Sequence, residues 1–154
     1  MINVTDTISR LENLIIDKIP VTRHLQFHIH LDEYDQPILE VPLQPNINHL
    51  GTAFGGSLSM LCTIEGWGCM YLLLEKYELI ADILIQKNDM AFLSQVEDDF
   101  YVGCNLPAKP KLELFVRTFH RFGKARLPVT CYVKEKDKSE TAALFNGLYA
   151  AVRS

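Results

Sequence analysis

The side chains and backbone groups best suited to chemistry stand close together: Asn48, His49, Phe54, Gly55, Gly56 and Ser57. The glycine pair opens a long apolar run. The first turn of a helix presents backbone N–H groups with no partner inside the helix, backed by a partial positive charge. Such a turn is a seat for a negative oxygen, and paired glycines remove the Cβ atoms that would keep a ligand off the backbone. The plain alternative is a tight turn into a packed helix. Further along the run stand Thr63, whose hydroxyl can orient a water but is a poor base, and Glu65. Two helical positions rotate a side chain by about 200°, so these two serve different faces. Glu65 is either a buried carboxyl satisfied by local hydrogen bonds or a pocket acid whose pKa burial raises. Trp67 and Met70 either line a tunnel or fill the core. His49, beside Asn48, either anchors its loop or joins the chemistry.

Other clusters point to less. His28 and His30 share one strand face with no third ligand in sight, so they read as surface histidines and no metal is expected. Cys62, Cys69, Cys104 and Cys131 have neither Cys-x-x-Cys nor Cys/His spacing and read as small core hydrophobes. The segment Met1–Asp6 lacks the basic and apolar regions of a signal peptide, so reduced thiols and a cytoplasmic location are expected. Arg117, Arg121, Lys124 and Arg126 form the one loose basic cluster in a chain of net charge −4. It is either a solvated helix end or a seat for a phosphorylated ligand tail, and it is no nucleic-acid footprint. Residues 57–74 carry Glu65 as their only charge, long enough to invite a membrane reading. Glu65, Gly66 and Gly68 in the middle, and no cation at the N-terminal flank, argue instead for a core helix.

The elements that must position these residues follow from periodicity. At 154 residues with 48% apolar content, the chain is one globular domain, 1–154. Ile8, Leu11, Ile15 and Ile19 mark an amphipathic helix within 1–20 that covers an end of the sheet. Leu25, Phe27, Ile29 and Leu31 alternate with polar residues as a strand, which turns at Tyr34–Pro37 into a second strand over 38–43. Pro45–Thr52 is a shaped loop. The central helix spans 56–78 and is apolar on nearly every side, so it is buried. Strands over 80–92 and 100–106 read as a hairpin across the acidic turn 97–99. A short helix over 111–122 ends at Gly123, a C-cap glycine. A last hairpin pairs 125–133 with 141–152, with Pro128 arguing for an edge or bulge. Hairpins with one dominant helix give an α+β fold, an antiparallel sheet wrapped around that helix.

The run Asn48-His49-Leu50-Gly51-Thr52-Ala53-Phe54-Gly55-Gly56 resembles the Asn-x-x-Gly-x-x-His-Gly-Gly signature of hotdog-fold acyl-thioester enzymes. The segments Met90–Asp99, Gly123–Arg126 and Ala143–Gly147 look like that superfamily's later strands. The likeness covers residues 21–153 and is nearest to a bacterial thioesterase branch that stands alone or follows an acetyltransferase domain, with Asn46-x-Asn48, Gly51–Leu58 and Gly66-Trp67 in its pattern. The resemblance implies a hydrolase of acyl-CoA or acyl-carrier-protein esters, with no cofactor. The carbonyl would be polarised at Gly56, and Asn48 would place the water. The site would lie at a homodimer interface, in a dimer or dimer of dimers, facing the partner's Thr63. Phe54 replaces the usual His, and Thr63 the usual acid. A non-catalytic acyl-thioester binding protein is therefore the rival reading, and a hotdog dehydratase, which needs that His, a weaker third.

Overall fold

The structure, a computed structural model, describes residues 3–34 and 36–154. Met1 and Ile2 of the expected first helix, and Asp35 of the expected first turn, lie outside the described residues.

Helix α1, Val4–Lys18, turns Ile8, Leu11 and Ile15 inward, and the Asn3 side chain caps it by accepting from Thr5 N–H at 3.2 Å. Pro20 then opens a 3-10 turn, Pro20–His24. The Glu12 carboxylate accepts the Ile29 N–H at 2.7 Å and faces His28 Nδ1 at 3.2 Å, pinning α1 to the sheet. Strand β1, His28–Leu31, is shorter than the alternation suggests. Leu25 and Phe27 are buried as expected, but Gln26 sits at φ 55°, in the left-handed region, and breaks the strand. Strand β2 is Pro37–Val41, strand β3 Ala81–Phe92, strand β4 Phe100–Asn105, strand β5 Lys124–Glu135 and strand β6 Thr141–Arg153. They form a six-stranded antiparallel sheet in the order β1-β2-β4-β5-β6-β3.

This order corrects one expectation, because β3 and β4 are not a hairpin. β3 runs along β6 from Ala81↔Arg153 to Phe92↔Ala143 and forms the far edge of the sheet. Residues 93–99, read as a turn from their acidic end, are a crossover: Leu93 and Ser94 donate to the Ala142 carbonyl, and the Val96 carbonyl accepts from Ala53. The last hairpin is as expected. Pro128 pairs with Leu148 on β6, while β4 ends opposite Thr130, so the missing N–H falls where β5 is locally an edge.

Helix α2 is Gly55–Lys76, beginning and ending slightly earlier than expected. It is the one described helix long and apolar enough to span a membrane, yet most of it is buried against the sheet. Tyr149 of β6 donates to the Thr63 carbonyl at 2.7 Å, and Cys131 of β5 to the Cys62 carbonyl at 3.5 Å. A Cβ on Gly66 would stand 2.4 Å from the Tyr149 hydroxyl, which explains a residue costing the helix about 1 kcal/mol relative to Ala. Helix α3, Lys109–Phe122, backs β5 with Phe115 and Phe119 and ends at Gly123, whose φ of 70° suits glycine.

Glu65 projects into this core, only 2% exposed, with the Cys69 thiol donating to its Oε1 at 3.8 Å. Burial first, and the neighbouring Cys104 second, raise its pKa well above the ordinary carboxyl value. A carboxyl whose folded pKa is raised stabilises the fold fully below its unfolded pKa, and that contribution is lost as pH climbs through the folded pKa. Glu65→Gln therefore removes a downward slope of up to about 1.4 kcal/mol per pH unit that begins near pH 4. Urea denaturation across pH checks this, and an unchanged slope in the variant overturns it. In the same assay Gly66→Ala loses about 1–3 kcal/mol, because Tyr149 must leave its slot.

Candidate active site at the start of the central helix

The loop before α2 is held from both ends. Asn46 is buried and donates through Nδ2 to the Leu25 carbonyl at 2.9 Å and the Pro42 carbonyl at 3.0 Å; its Oδ1 has no partner among the described residues. The Asn48 Oδ1 accepts from the N–H groups of Leu50 at 2.9 Å and Thr52 at 3.1 Å, and Nδ2 donates to the Thr52 hydroxyl at 2.9 Å. The Asn48 side chain thus shapes the turn, leaving one Nδ2 hydrogen for anything else. Gly51 takes a φ of 77° at the tip, and Phe54 N–H returns to the Asn46 carbonyl at 2.7 Å. His49 is exposed on this loop.

Phe54 is the residue before the helix, with no side-chain cap, and the first turn holds no acid. The helix's own bonding begins with Leu58 N–H to the Phe54 carbonyl at 3.1 Å. Among the described residues, no protein group accepts from the N–H groups of Gly55, Gly56 or Ser57. Their partial positive charge is unanswered.

The glycines have a more particular purpose than bare backbone. A Cβ on Gly56 would fall 2.4 Å from the Phe54 ring, and one on Gly55 would fall 3.3 Å from the Phe92 ring. The vacated space holds two phenyl rings, each more than half exposed, at the end of the helix. The result is a turn of unpaired donors walled by apolar surface, where electrostatic attraction is weakened less by water. Phe92 comes from the far end of β3, and nothing in its local sequence marks it; Asn46 is visible only as half of the Asn46-x-Asn48 pair.

Asn48, His49, Phe54, Gly55, Gly56 and Ser57 are therefore gathered by one loop and one helix turn. Thr63, Glu65 and Trp67 are not gathered with them. The Thr63 hydroxyl donates to the Ser59 carbonyl at 2.9 Å, and Glu65 points into the core. Trp67 stacks on Tyr71 at 5.6 Å and lines a cavity of about 690 Å³ with Leu14, Leu74 and Ile80–Leu84. It lies about 18 Å along the helix from Gly55, while Met70 is fully buried core. Among the described residues there is no cluster able to hold a metal, and His28 and His30 face Glu12 and Glu40 instead.

Comparison with known proteins agrees with this fold. A protein of unknown function from Chlorobaculum tepidum is 27% identical, with 95% of this chain and 94% of that one aligned at a TM-score of 0.87. A putative thioesterase from Shewanella oneidensis is 25% identical over 96% and 99%, at 0.85. The Bacillus halodurans protein BH2602, solved with CoA, is 16% identical over 97% and 93%, at 0.64, and shares the fold. No curated protein matches the chain. The profile of the putative thioesterase family named for the YiiD C-terminal domain matches residues 8–153, and with its six-stranded antiparallel sheet and long central helix the chain belongs to that family of hotdog-fold thioesterases.

Proposed function

We propose that this protein hydrolyses acyl thioesters of CoA or of a carrier protein, acting as a cytoplasmic homodimer without a cofactor. The observation that carries the reading is the unpaired N–H groups of Gly55, Gly56 and Ser57 between the Phe54 and Phe92 rings. Placed there, the thioester oxygen takes up negative charge as water adds to the carbonyl carbon, and fixed donors stabilise that charge. The tetrahedral intermediate then expels the sulfur, which leaves as a thiol with a proton. His49, the imidazole on the same loop, is the group assigned to accept the water's proton, and Asn48 keeps that loop in register. That BH2602 was solved with CoA supports the CoA ester as the first substrate to try.

The dimer reading rests on β3. Among the described residues its outer edge is unpaired, and Leu84, Ile85 and Phe92 are exposed along it, with Ile80 and Leu93 at its ends. A long apolar edge is a template for a second strand. Antiparallel pairing of β3 with its own copy lays the Phe92 end of one protomer beside the Ala81 end of the other. The cavity lined by Trp67 and Tyr71 in one chain then adjoins the start of α2 in its partner, and the Thr63 face comes with it.

One observation favours a second reading, binding without turnover: the Thr63 hydroxyl is engaged by its own helix and Glu65 is buried. Thiol release from a panel of acyl-CoA and acyl-carrier esters separates the two. The wild type is expected to release thiol, and Asn48→Ala, which frees the loop, to lose at least tenfold in kcat/KM. No ester cleaved above the variant's background sinks the hydrolase reading. Light scattering is expected to give twice the chain mass of 17.6 kDa, and Leu84→Lys with Ile85→Lys to give monomer and abolish turnover; a wild-type monomer ends the composite-site reading.

A further inference from the structure

The basic cluster seen in the sequence acquires a shape in the fold. Between the end of α3 and the start of β5 lies a cavity of about 480 Å³ lined by Gln86, Thr118, Phe122, Lys124, Arg126 and Ala150. A smaller one of about 260 Å³ shares Thr118 and Arg126 and adds Lys111. Phe122 is 62% exposed, and the Arg121 guanidinium lies 5.0 Å over its ring. Among the described residues, none of Lys111, Arg117, Arg121, Lys124 or Arg126 has a carboxylate within 4 Å. Of the bases elsewhere on this acidic chain, Lys109 pairs with Glu113, Lys138 with Glu135 and Arg10 with Glu75. Unpaired cations around a concave pocket, beside an exposed phenyl ring, answer a ligand that carries both several negative charges and a flat ring.

We infer that this groove holds the phosphorylated adenosine end of CoA, with Lys124, Arg126 and Lys111 on its phosphates and Phe122 against its base. The inference rests on the acyl-thioester reading above and narrows it to CoA. A carrier protein would offer an acidic surface too broad for a pocket of this size, whereas a nucleotide fits within it. The sheet supplies the connection to the reaction centre. Lys124, Val152 and Asp82 align across β5, β6 and β3, so Lys124 stands about two strand spacings, roughly 10 Å, from the Ala81 end of β3. That is the end at which paired β3 edges place the partner's helix start, within reach of an extended pantetheine arm.

The test compares one acyl group carried on CoA and on pantetheine, which lacks the nucleotide, together with titration of adenosine 3′,5′-bisphosphate into the intact dimer. Lys124→Ala and Arg126→Ala are each expected to raise KM for the CoA ester about tenfold, the worth of a charge-assisted hydrogen bond. The CoA-to-pantetheine ratio of kcat/KM falls by the same factor, and nucleotide affinity falls with it and with added salt. Both variants exchange exposed side chains, and an unshifted melting temperature shows them folded. Equal losses on both esters, or an unchanged KM for the CoA ester, overturn the assignment. So does a KM rise confined to an acyl-carrier ester, which would make the patch a protein-docking face. Nucleotide binding that the variants weaken, in a wild type that cleaves neither ester, keeps the subsite while the hydrolase reading falls.

Discussion

The contact between Tyr149 and the backbone of α2 sets the geometry on which the site depends. The phenol ring occupies the slot left by Gly66 and its hydroxyl donates to the Thr63 carbonyl, so this side chain, with the Cys131 thiol on the adjacent Cys62 carbonyl, holds the height and axial position of the helix on the sheet. β6 in turn sets the register of β3, pairing Ala143 with Phe92, and Phe92 reaches the first glycine of the helix. A shift of the helix along its axis would therefore separate Gly55 from the ring that covers it. Packing in a close-fitted core transmits such a displacement rather than absorbing it.

At the helix start, two requirements meet in the same residues. On the reading proposed above, the turn leaves its N–H groups unpaired for an oxyanion, and unpaired donors are costly once water is removed. The phenyl rings of Phe54 and Phe92 resolve this by walling the donors without sealing them, as both rings remain more than half exposed. Water can solvate the donors in the free protein, and a thioester displacing it would meet a fixed array of dipoles between apolar walls. The braces of Asn46 and Asn48 are what hold that turn against solvent, since each ties loop backbone through more than one hydrogen bond.

The central helix, the α3 cap at Gly123 and the closing hairpin were legible because each is governed by local chemistry: unbroken apolarity, a glycine in the left-handed region, alternation across a charged turn. The placement of β3 was not. Strand pairing is a long-range choice, and the acidic residues 97–99 look like a hairpin turn whichever partner β3 selects. The purpose of the glycines was hidden for the same reason. Gly55 and Gly66 answer to Phe92 and Tyr149, side chains far away in the chain, and only the fold shows which ring each glycine admits. Asn48 was recognised as a loop residue, but its engagement with Thr52 is a property of folded coordinates.

Glu65 shows why the site is read from its backbone rather than from its acids. An ionised carboxylate at 2% exposure, with a thiol as its hydrogen-bonding neighbour, would forfeit far more solvation than that neighbour returns, so burial raises its pKa well above the ordinary carboxyl value. A buried carboxyl facing Cys69 and the sheet does not reach a water at the helix start, and the two positions that separate it from Thr63 are what turn it there. The Thr63 hydroxyl is held to its own helix. Neither side chain offers a base at the helix start, and His49 is the exposed imidazole on the adjoining loop. On the hydrolase reading proposed above, oriented dipoles would stabilise the developing charge, and sensitivity to substitution would follow the loop and the two phenyl rings rather than the acid buried beneath them.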